Sequence, residues 1–264
     1  MSPSQNTQTP VLLQRDGAIA TLTFNRPQAL NAIDVPMARA FLDAMRELAK
    51  DPTLRALVLR GSGRAFMAGG DLATLRGNPV QGAADLLVPL NEALELMTSI
   101  DAPVIAQIHG LATGAGLSLM LQADFVLVAQ DTRFNLAYIN LGASCDAGAS
   151  WALPRLVGVR RALQIAMLGE TLTSADAERL GLVNRVLAAD QLEAEVNALA
   201  KRLAAGPTLA YGAMKRLMRA SFDHDFATQL AMETAAFKSC AQTQDFRTGI
   251  EAFYGKTTPA FKGL

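Results

Sequence analysis

Two glycine-rich turns and one isolated carboxylate are where this chain could do chemistry. The first turn is Phe66-Met67-Ala68-Gly69-Gly70-Asp71 and the second is Ala112-Thr113-Gly114-Ala115-Gly116-Leu117. Each follows an apolar run that reads as a strand, and the second opens a helical segment. Backbone approaches a ligand closely only where side chains are absent. Both turns can therefore bring N–H donors against an oxygen that gathers negative charge, as in an enolate. One such donor in a dry site is worth about 3–4 kcal/mol, and the positive end of a helix adds to it. Taken singly, either turn is accounted for by packing. The pair is more specific, because both follow strands and both carry small residues where an oxygen can dock. The carboxylate is Asp146, within Leu141-Gly142-Ala143-Ser144-Cys145-Asp146-Ala147-Gly148. By residue type alone it reads as a helix cap, since it stands just before Ala147-Gly148-Ala149.

The elements that must position these groups alternate through the first half. Apolar runs on either side of Arg15-Asp16-Gly17 predict a hairpin over residues 11–24, and Asn25-Arg26-Pro27 ends it. Met37, Phe41, Ala44, Met45 and Leu48 recur at helical spacing over residues 34–50. Residues 54–60 read as a buried strand, 61–77 as a loop with one helical turn, and 83–100 as a helix closed by Asp101-Ala102-Pro103. A strand over 104–109, a turn over 110–116, a helical piece over 117–122 and a strand over 125–128 follow. Beyond Trp151 the signals are nearly all helical: 160–168, 174–180, 191–205, 208–220 and 226–241. Thr173-Ser174 reads as a helix cap.

Composition narrows the classes of function. Half of the 264 residues are apolar and 18% are charged, so the chain buries a core and folds. Its 24 basic and 24 acidic residues balance, which gives no reason to expect nucleic acid or an anionic membrane as partner. Cys145 and Cys240 lie far apart without metal-ligand spacing; no disulfide framework is expected and a reducing cytoplasm fits. The apolar stretch 102–129 is broken by Gln107, His109, Gln122 and Asp124, unlike a membrane helix. Residues 1–10 are polar, lack the core of a secretory signal, and read as a disordered N-terminal tail.

Taken in order, several motifs resemble the crotonase superfamily, the enoyl-CoA hydratase/isomerase family. They are Asn25-Arg26-Pro27 with Leu30-Asn31-Ala32, Phe66 to Leu72, His109-Gly110 with Gly114-Ala115-Gly116, Ala123-Asp124, Leu153 to Gly158, Gly181-Leu182-Val183, and Asp245 to Phe253. The resemblance covers about Val11 to Lys262. It implies an α/β fold: a crotonase-like spiral of ββα units over 11–205 and a C-terminal helical trimerisation region over 206–264, assembling as homotrimer or hexamer. It implies an acyl-CoA substrate whose enolate oxygen is held by the Gly70 and Ala115 N–H groups. Coenzyme A is then part of the substrate, and neither a further cofactor nor a metal is expected. The loop from Ala68 to Leu72, together with Gly114, would line the CoA site and Arg26 would flank it. Phe253 and Lys256 match positions that reach the CoA of a neighbouring subunit, where an ammonium suits the 3′-phosphate.

The chain departs from the hydratase pattern. Members that hydrate a double bond place water with two glutamates, and here Ser118 and Tyr138 stand at those positions. A hydroxyl is a poor base near neutral pH. Asp146 instead matches the subgroup in which an aspartate is the acid/base group for double-bond isomerisation, and the resemblance reverses its reading from cap to catalysis. Burial against neighbours such as Trp151 would raise its pKa towards working pH. Ser118 is small and would leave room for an acyl group, while Tyr138 would contact substrate or pack. Leu86, Leu87, Val88 and Leu90 are candidates for the acyl pocket. The expected reaction is an enoyl-CoA isomerisation. The alternatives are hydration or hydrolysis through water held by Asp146, and a catalytically idle acyl-CoA binder. His109 and Asp71 read as structural, and His224, between Asp223 and Asp225, as solvated. Asp124 is expected to pair with nearby backbone.

Overall fold

The computed structural model describes residues 9–264. Apart from Thr9 and Pro10, the expected N-terminal tail lies outside the described residues. Strands β1 (Val11–Asp16) and β2 (Ile19–Phe24) pair antiparallel about Gly17, the hairpin that Asp-Gly predicts. Helix α1 (Val35–Ala49) is capped by Asp34, whose carboxylate accepts from the Met37 N–H at 2.9 Å. After β3 (Ala56–Gly61), helix α2 (Pro79–Ser99) begins before residue 83, where periodicity places it. Proline suits a first helical position, and Asn78 accepts from the Gln81 N–H at 3.2 Å. The path continues through β4 (Val104–Ile108), β5 (Leu111–Thr113), α3 (Ala115–Met120), β6 (Phe125–Ala129) and β7 (Arg133–Asn135). It then runs through α4 (Ala149–Val157), α5 (Val159–Leu168), β8 (Leu172–Thr173), α6 (Ser174–Arg179) and β9 (Arg185–Leu187). Helices α7 (Leu192–Ala204), α8 (Thr208–Ala220), α9 (Phe226–Ala241) and α10 (Gln244–Gly255) close it. Residues 205 and 206 fall in the connection from α7 to α8.

A six-stranded sheet has the order β1-β2-β3-β4-β6-β9 and is parallel from β2 onward. A second, smaller layer holds β5, β7 and β8, and parallel bridges Ile33–Gly70 and Met67–Ala112 extend it. Four strands of the large sheet are thus each followed by a short stretch in the second layer: β2 by Ile33, β3 by Met67 and Gly70, β4 by β5, and β6 by β7. That repetition is the ββα spiral. Parallel sheets are covered on both faces. Leu57 and Leu59 of β3 face α1 and α2, where Phe41, Met45, Leu90 and Met97 are buried with them. Ala56 and Val58 alternate to the other face with Ile105 and Leu127, under Leu192, Val196 and Ala200 of α7. Phe24 meets Phe41 and Phe66 edge to face, with centroids 5.4 and 5.9 Å apart; each ring buried is worth about 1.5–3 kcal/mol.

Four short strands, β5, β7, β8 and β9, and helices α4 and α10 depart from the sequence-based expectation. Residues 110–116 contain β5 rather than a bare turn. Two or three residues are too few to show an alternation, and Pro154 inside α4 masks that helix. The Thr173 cap is present as a capping box, with Thr173 and Asp176 bonding each other's N–H groups at 3.1 Å. No described helix is long and apolar enough to cross a membrane.

The corner between the first hairpin and the rest turns on Asn31, which is fully buried with φ 58°. Its amide lies 2.9, 2.9 and 3.1 Å from the carbonyls of Ser62, Ala65 and Phe66, and its oxygen accepts from the Arg26 N–H at 2.8 Å. Asn31→Ala leaves all of these without their partner. At about 1–3 kcal/mol for each unsatisfied buried group, urea denaturation should show a loss of at least about 3 kcal/mol. A loss under about 1 kcal/mol, within the range of ordinary substitutions, would mean the corner is held by other contacts.

Candidate active site

The two glycine turns meet because their strands are neighbours. The Met67 N–H donates to the Leu111 carbonyl at 3.2 Å, and the Thr113 N–H returns to the Met67 carbonyl at 3.0 Å. The first turn is pinned from its other side, where the Ile33 N–H donates to Gly69 at 2.7 Å and the Asp71 N–H to Ile33 at 2.8 Å. Gly69 has φ 101°, and a Cβ there would come within 3.1 Å of the Thr113 carbonyl and 3.6 Å of the Ala115 nitrogen. Side-chain-free backbone is therefore required on both geometric and steric grounds. Among the described residues, neither the Gly70 N–H nor the Ala115 N–H donates to a protein acceptor.

Helix α3 leads from this junction to a chain of hydroxyls ending in the carboxylate. Ser118, wholly buried, lies one turn along α3 from Ala115. Its Oγ is 3.2 Å from the Gly114 carbonyl and 3.0 Å from the Tyr138 hydroxyl. Tyr138 donates in turn to Asp146 Oδ1. Burial holds the Asp146 carboxyl above the usual carboxylate range, while the Tyr138 hydrogen bond pulls the other way. Burial, and then the charge of Asp146 and their hydrogen bond, push the Tyr138 phenol up, so it stays a protonated donor. The segment carrying both is bent through non-glycine residues in the left-handed region, Ala137 at φ 56° and Ala147 at φ 50°. Two amides hold it there. Asn135 Oδ1 accepts from the Ala137 N–H at 2.6 Å, and Gln122 Nε2 lies 3.4 Å from the carbonyls of both Ser118 and Ala147.

Other expected residues are placed differently. Arg26 is engaged by two carboxylates, Asp34 at 3.3 Å and Asp71 at 3.0 Å. Both carboxylates also cap turns, on the N–H groups of Met37 and Ala73, so Arg26 and Asp71 fix the loop from Ala68 to Leu72. Ala68 is half-buried and Leu72 exposed. Leu86 Cδ2 lies 3.6 Å from where a Gly70 Cβ would stand. Leu90 is in the core and Val88 faces outward. Phe253 and Lys256 are exposed at the end of α10. Trp151 is not packed as a buried neighbour of Asp146: it is exposed at the surface, with the Arg155 guanidinium 4.2 Å over its ring. Nor does Asp146 cap α4, whose cap is Gly148 without a side-chain bond. Asp124 does bond backbone, accepting from the Val104 N–H at 2.9 Å, and it also pairs with Lys215 at 2.8 Å and Arg219 at 3.1 Å. His109 bonds the Gly63 carbonyl at 2.9 Å. Sequence reasoning missed Gln122 and Asn135; an amide within or beside an apolar run was the available signal. No described group of three or more His, Cys, Asp or Glu residues could hold a metal ion.

Comparison with known proteins gives a consistent picture. Residues 14–264 match the family model described as enoyl-CoA hydratase/isomerase. A 1,2-epoxyphenylacetyl-CoA isomerase of Escherichia coli K12 is 32% identical, with 96% of this chain and 98% of that protein covered. A protein named a probable enoyl-CoA hydratase, from Rhodobacter capsulatus, is 35% identical, with 93% and 95% covered. The crystal structure of an enoyl-CoA hydratase from Mycobacterium smegmatis superposes with a TM-score of 0.90 at 34% identity, covering 96% of this chain and 98% of that one.

The raised carboxyl of Asp146 has a stability consequence. A carboxyl whose folded pKa exceeds its unfolded value binds its proton more tightly when folded, so its ionised form weakens the fold above the unfolded pKa. Asp146→Asn removes the charge and keeps an oxygen for Tyr138. Calorimetry at neutral pH should show a higher Tm than wild type, with the gap closing as pH falls through the raised carboxyl pKa. A lower Tm for the variant at neutral pH would assign the ionised carboxylate a structural role.

Proposed function

The chain belongs to the enoyl-CoA hydratase/isomerase family, and within it we propose an isomerase that shifts a double bond in an acyl-CoA. The carrying observation is the Ser118–Tyr138–Asp146 chain: two hydroxyls stand where the hydratase pattern has carboxylates, and both are tied to one half-buried aspartate with a raised pKa. The other acidic residue at the turns, Asp71, is occupied by Arg26 and by its cap.

In this reading the thioester oxygen docks against the N–H groups of Gly70 and Ala115. Asp146 takes a proton from a carbon activated by that carbonyl. The C–H electron pair becomes a C=C bond and the carbonyl π pair moves onto oxygen, where the two donors stabilise it. The same carboxyl returns the proton at a different carbon of the conjugated enolate. One acid/base group suffices, since nothing is added and nothing leaves. Burial helps by bringing the pKa of the carboxyl nearer to working pH. The CoA moiety lies along the loop from Ala68 to Leu72, with Gly114 on its inner side.

We also propose a homotrimer or a hexamer. Helix α9 has no buried residue, yet it carries Phe226, Leu230 and Phe237, and Met214, Met218 and Phe222 extend that apolar exposure. Large apolar side chains exposed in such number along two successive helices call for a covering surface. In such an assembly Phe253 and Lys256 would reach the CoA of the adjoining subunit. Light scattering should return three or six times the 28.0 kDa chain mass; a 28.0 kDa particle would rule the assembly out.

The test of the reaction is a paired assay of wild type and Asp146→Asn on 2-enoyl-, 3-enoyl- and 3,5-dienoyl-CoA esters in deuterated water. Expected are a moved double bond, incorporated deuterium and no added water, with the variant slower by about 10²–10⁴. Wild-type kcat/KM should fall on the acid side, because only ionised Asp146 accepts a proton, with a midpoint above the ordinary aspartate value of about 3.9. Products carrying the mass of water would transfer the chain to the hydration reading that the Rhodobacter relative's name suggests. Tight CoA-ester binding without turnover of any ester would make it an idle binder.

A further inference from the structure

We propose that Ser118 and Tyr138 are positioning residues that couple the charge on Asp146 to the donor strength of the Ala115 N–H. This rests on the isomerase reading above, with Asp146 as proton carrier and Ala115 as a donor to the substrate oxygen.

Ser118 has one hydroxyl hydrogen and two acceptors within reach, the Gly114 carbonyl at 3.2 Å and the Tyr138 oxygen at 3.0 Å. It is wholly buried, so bulk solvent offers no third. The Tyr138 hydrogen is committed to Asp146, which leaves the phenol oxygen to accept. The Gly114 carbonyl already takes the Ser118 N–H at 3.0 Å and has a second lone pair free for the hydroxyl.

Charge decides between the two acceptors. While Asp146 is ionised, its charge-assisted bond polarises the phenol, whose oxygen becomes the better acceptor and draws the serine hydrogen. Once Asp146 has taken the substrate proton, that pull lapses and the hydrogen turns to Gly114. The Gly114 carbonyl and the Ala115 N–H are the two ends of one conjugated peptide unit. A donor on the carbonyl polarises the unit and strengthens the N–H at its far end. Ala115 is therefore the weaker donor while the substrate is a neutral thioester and the stronger one when it is an enolate. Stabilisation that grows between those two states is the kind that accelerates reaction. The protons balance. The substrate's hydrogen ends on Asp146, both hydroxyl hydrogens stay on their own oxygens, and only the serine O–H has rotated.

Among the described residues, few other charges act on the carboxylate. Tyr138, on the 138–141 turn, is the titratable group that bonds it. Helix α3 presents the neutral Ser118, followed by Gln122. The charged side chain of α4, Arg155, is held 2.8 Å from Asp223.

The decisive measurement is the infrared carbonyl stretch of an unreactive saturated acyl-CoA, labelled with ¹³C at the thioester and bound at alkaline pH. It is compared between Asp146 and Asp146→Asn proteins in three backgrounds: wild type, Ser118→Ala and Tyr138→Phe. In the wild-type background the neutral asparagine should move the band to lower wavenumber. That gap should shrink in the other two backgrounds, where the hydroxyl link is cut. Ser118→Ala alone should lower kcat by roughly two- to eightfold at constant KM, the fraction of one donor's worth that hydrogen-bond cooperativity adds. Equal gaps in all three backgrounds overturn the coupling. If they are equal while Asp146→Asn is inactive, the coupling fails and the isomerase reading stands; full activity of Asp146→Asn removes both. Two separate cuts keep the comparison available should one variant fail to fold.

Discussion

The parallel bridge between Met67 and Ala112 sets the spacing on which the site depends. It carries the adjacency of β3 and β4 past the end of the sheet and into the two turns, so the Gly70 and Ala115 N–H groups are placed by backbone pairing and not by loop conformation. Close packing follows from it. A side chain at Gly116 would put a Cβ 2.5 Å from the Met67 carbonyl, so the start of α3 can sit against the bridge only as glycine. Asn31 holds the outer side of the same junction through the Ala65 and Phe66 carbonyls. The hydrophobic layers on the two faces of the large sheet keep β3 and β4 in register, and the two turns inherit their rigidity.

How much of this was legible in the sequence depended on whether a feature's cause is local. Helices α8 and α9 were legible over residues 208–220 and 226–241, and the first hairpin from Asp-Gly, because periodicity and turn chemistry are written in neighbouring residues. The glycine turns were legible for a related reason, since the absence of a side chain is a property of one residue. Strands β7 and β8 were not, because two or three residues become a strand only by pairing with a segment far along the chain. Residue type favoured Asp146 as a cap, and only the resemblance turned that reading. Its link to Tyr138 and Ser118 is made by tertiary packing, as is the capture of Arg26 by Asp34 and Asp71.

The segment from Ala137 to Gly148 concentrates costs that the rest of the fold sustains. Two alanines there adopt left-handed backbone, which costs of order 1–3 kcal/mol each, and a carboxylate is half-buried beside a phenol. Gln122 and Asn135 oppose those costs, and each reaches the segment from an element already fixed by the core. Strain gathered around one ionisable group and braced from outside is how a fold keeps a carboxyl away from its preferred solvation.

The end of the described chain is fastened to α10 and to the start of β3. Asp245 is buried and accepts from the N–H groups of Lys262 and Gly263, both at 2.7 Å, while Arg55, beside β3, donates to the Phe261 carbonyl at 3.1 Å across 206 residues. That contact cannot form on a growing polypeptide until Phe261 has cleared the ribosome. Arg55 therefore waits through the synthesis of the next 206 residues for this partner. Of the three acceptors around this guanidinium, Phe261 is the last to be made, so the segment after α10 completes a contact that Gly206 and Thr208 have already begun.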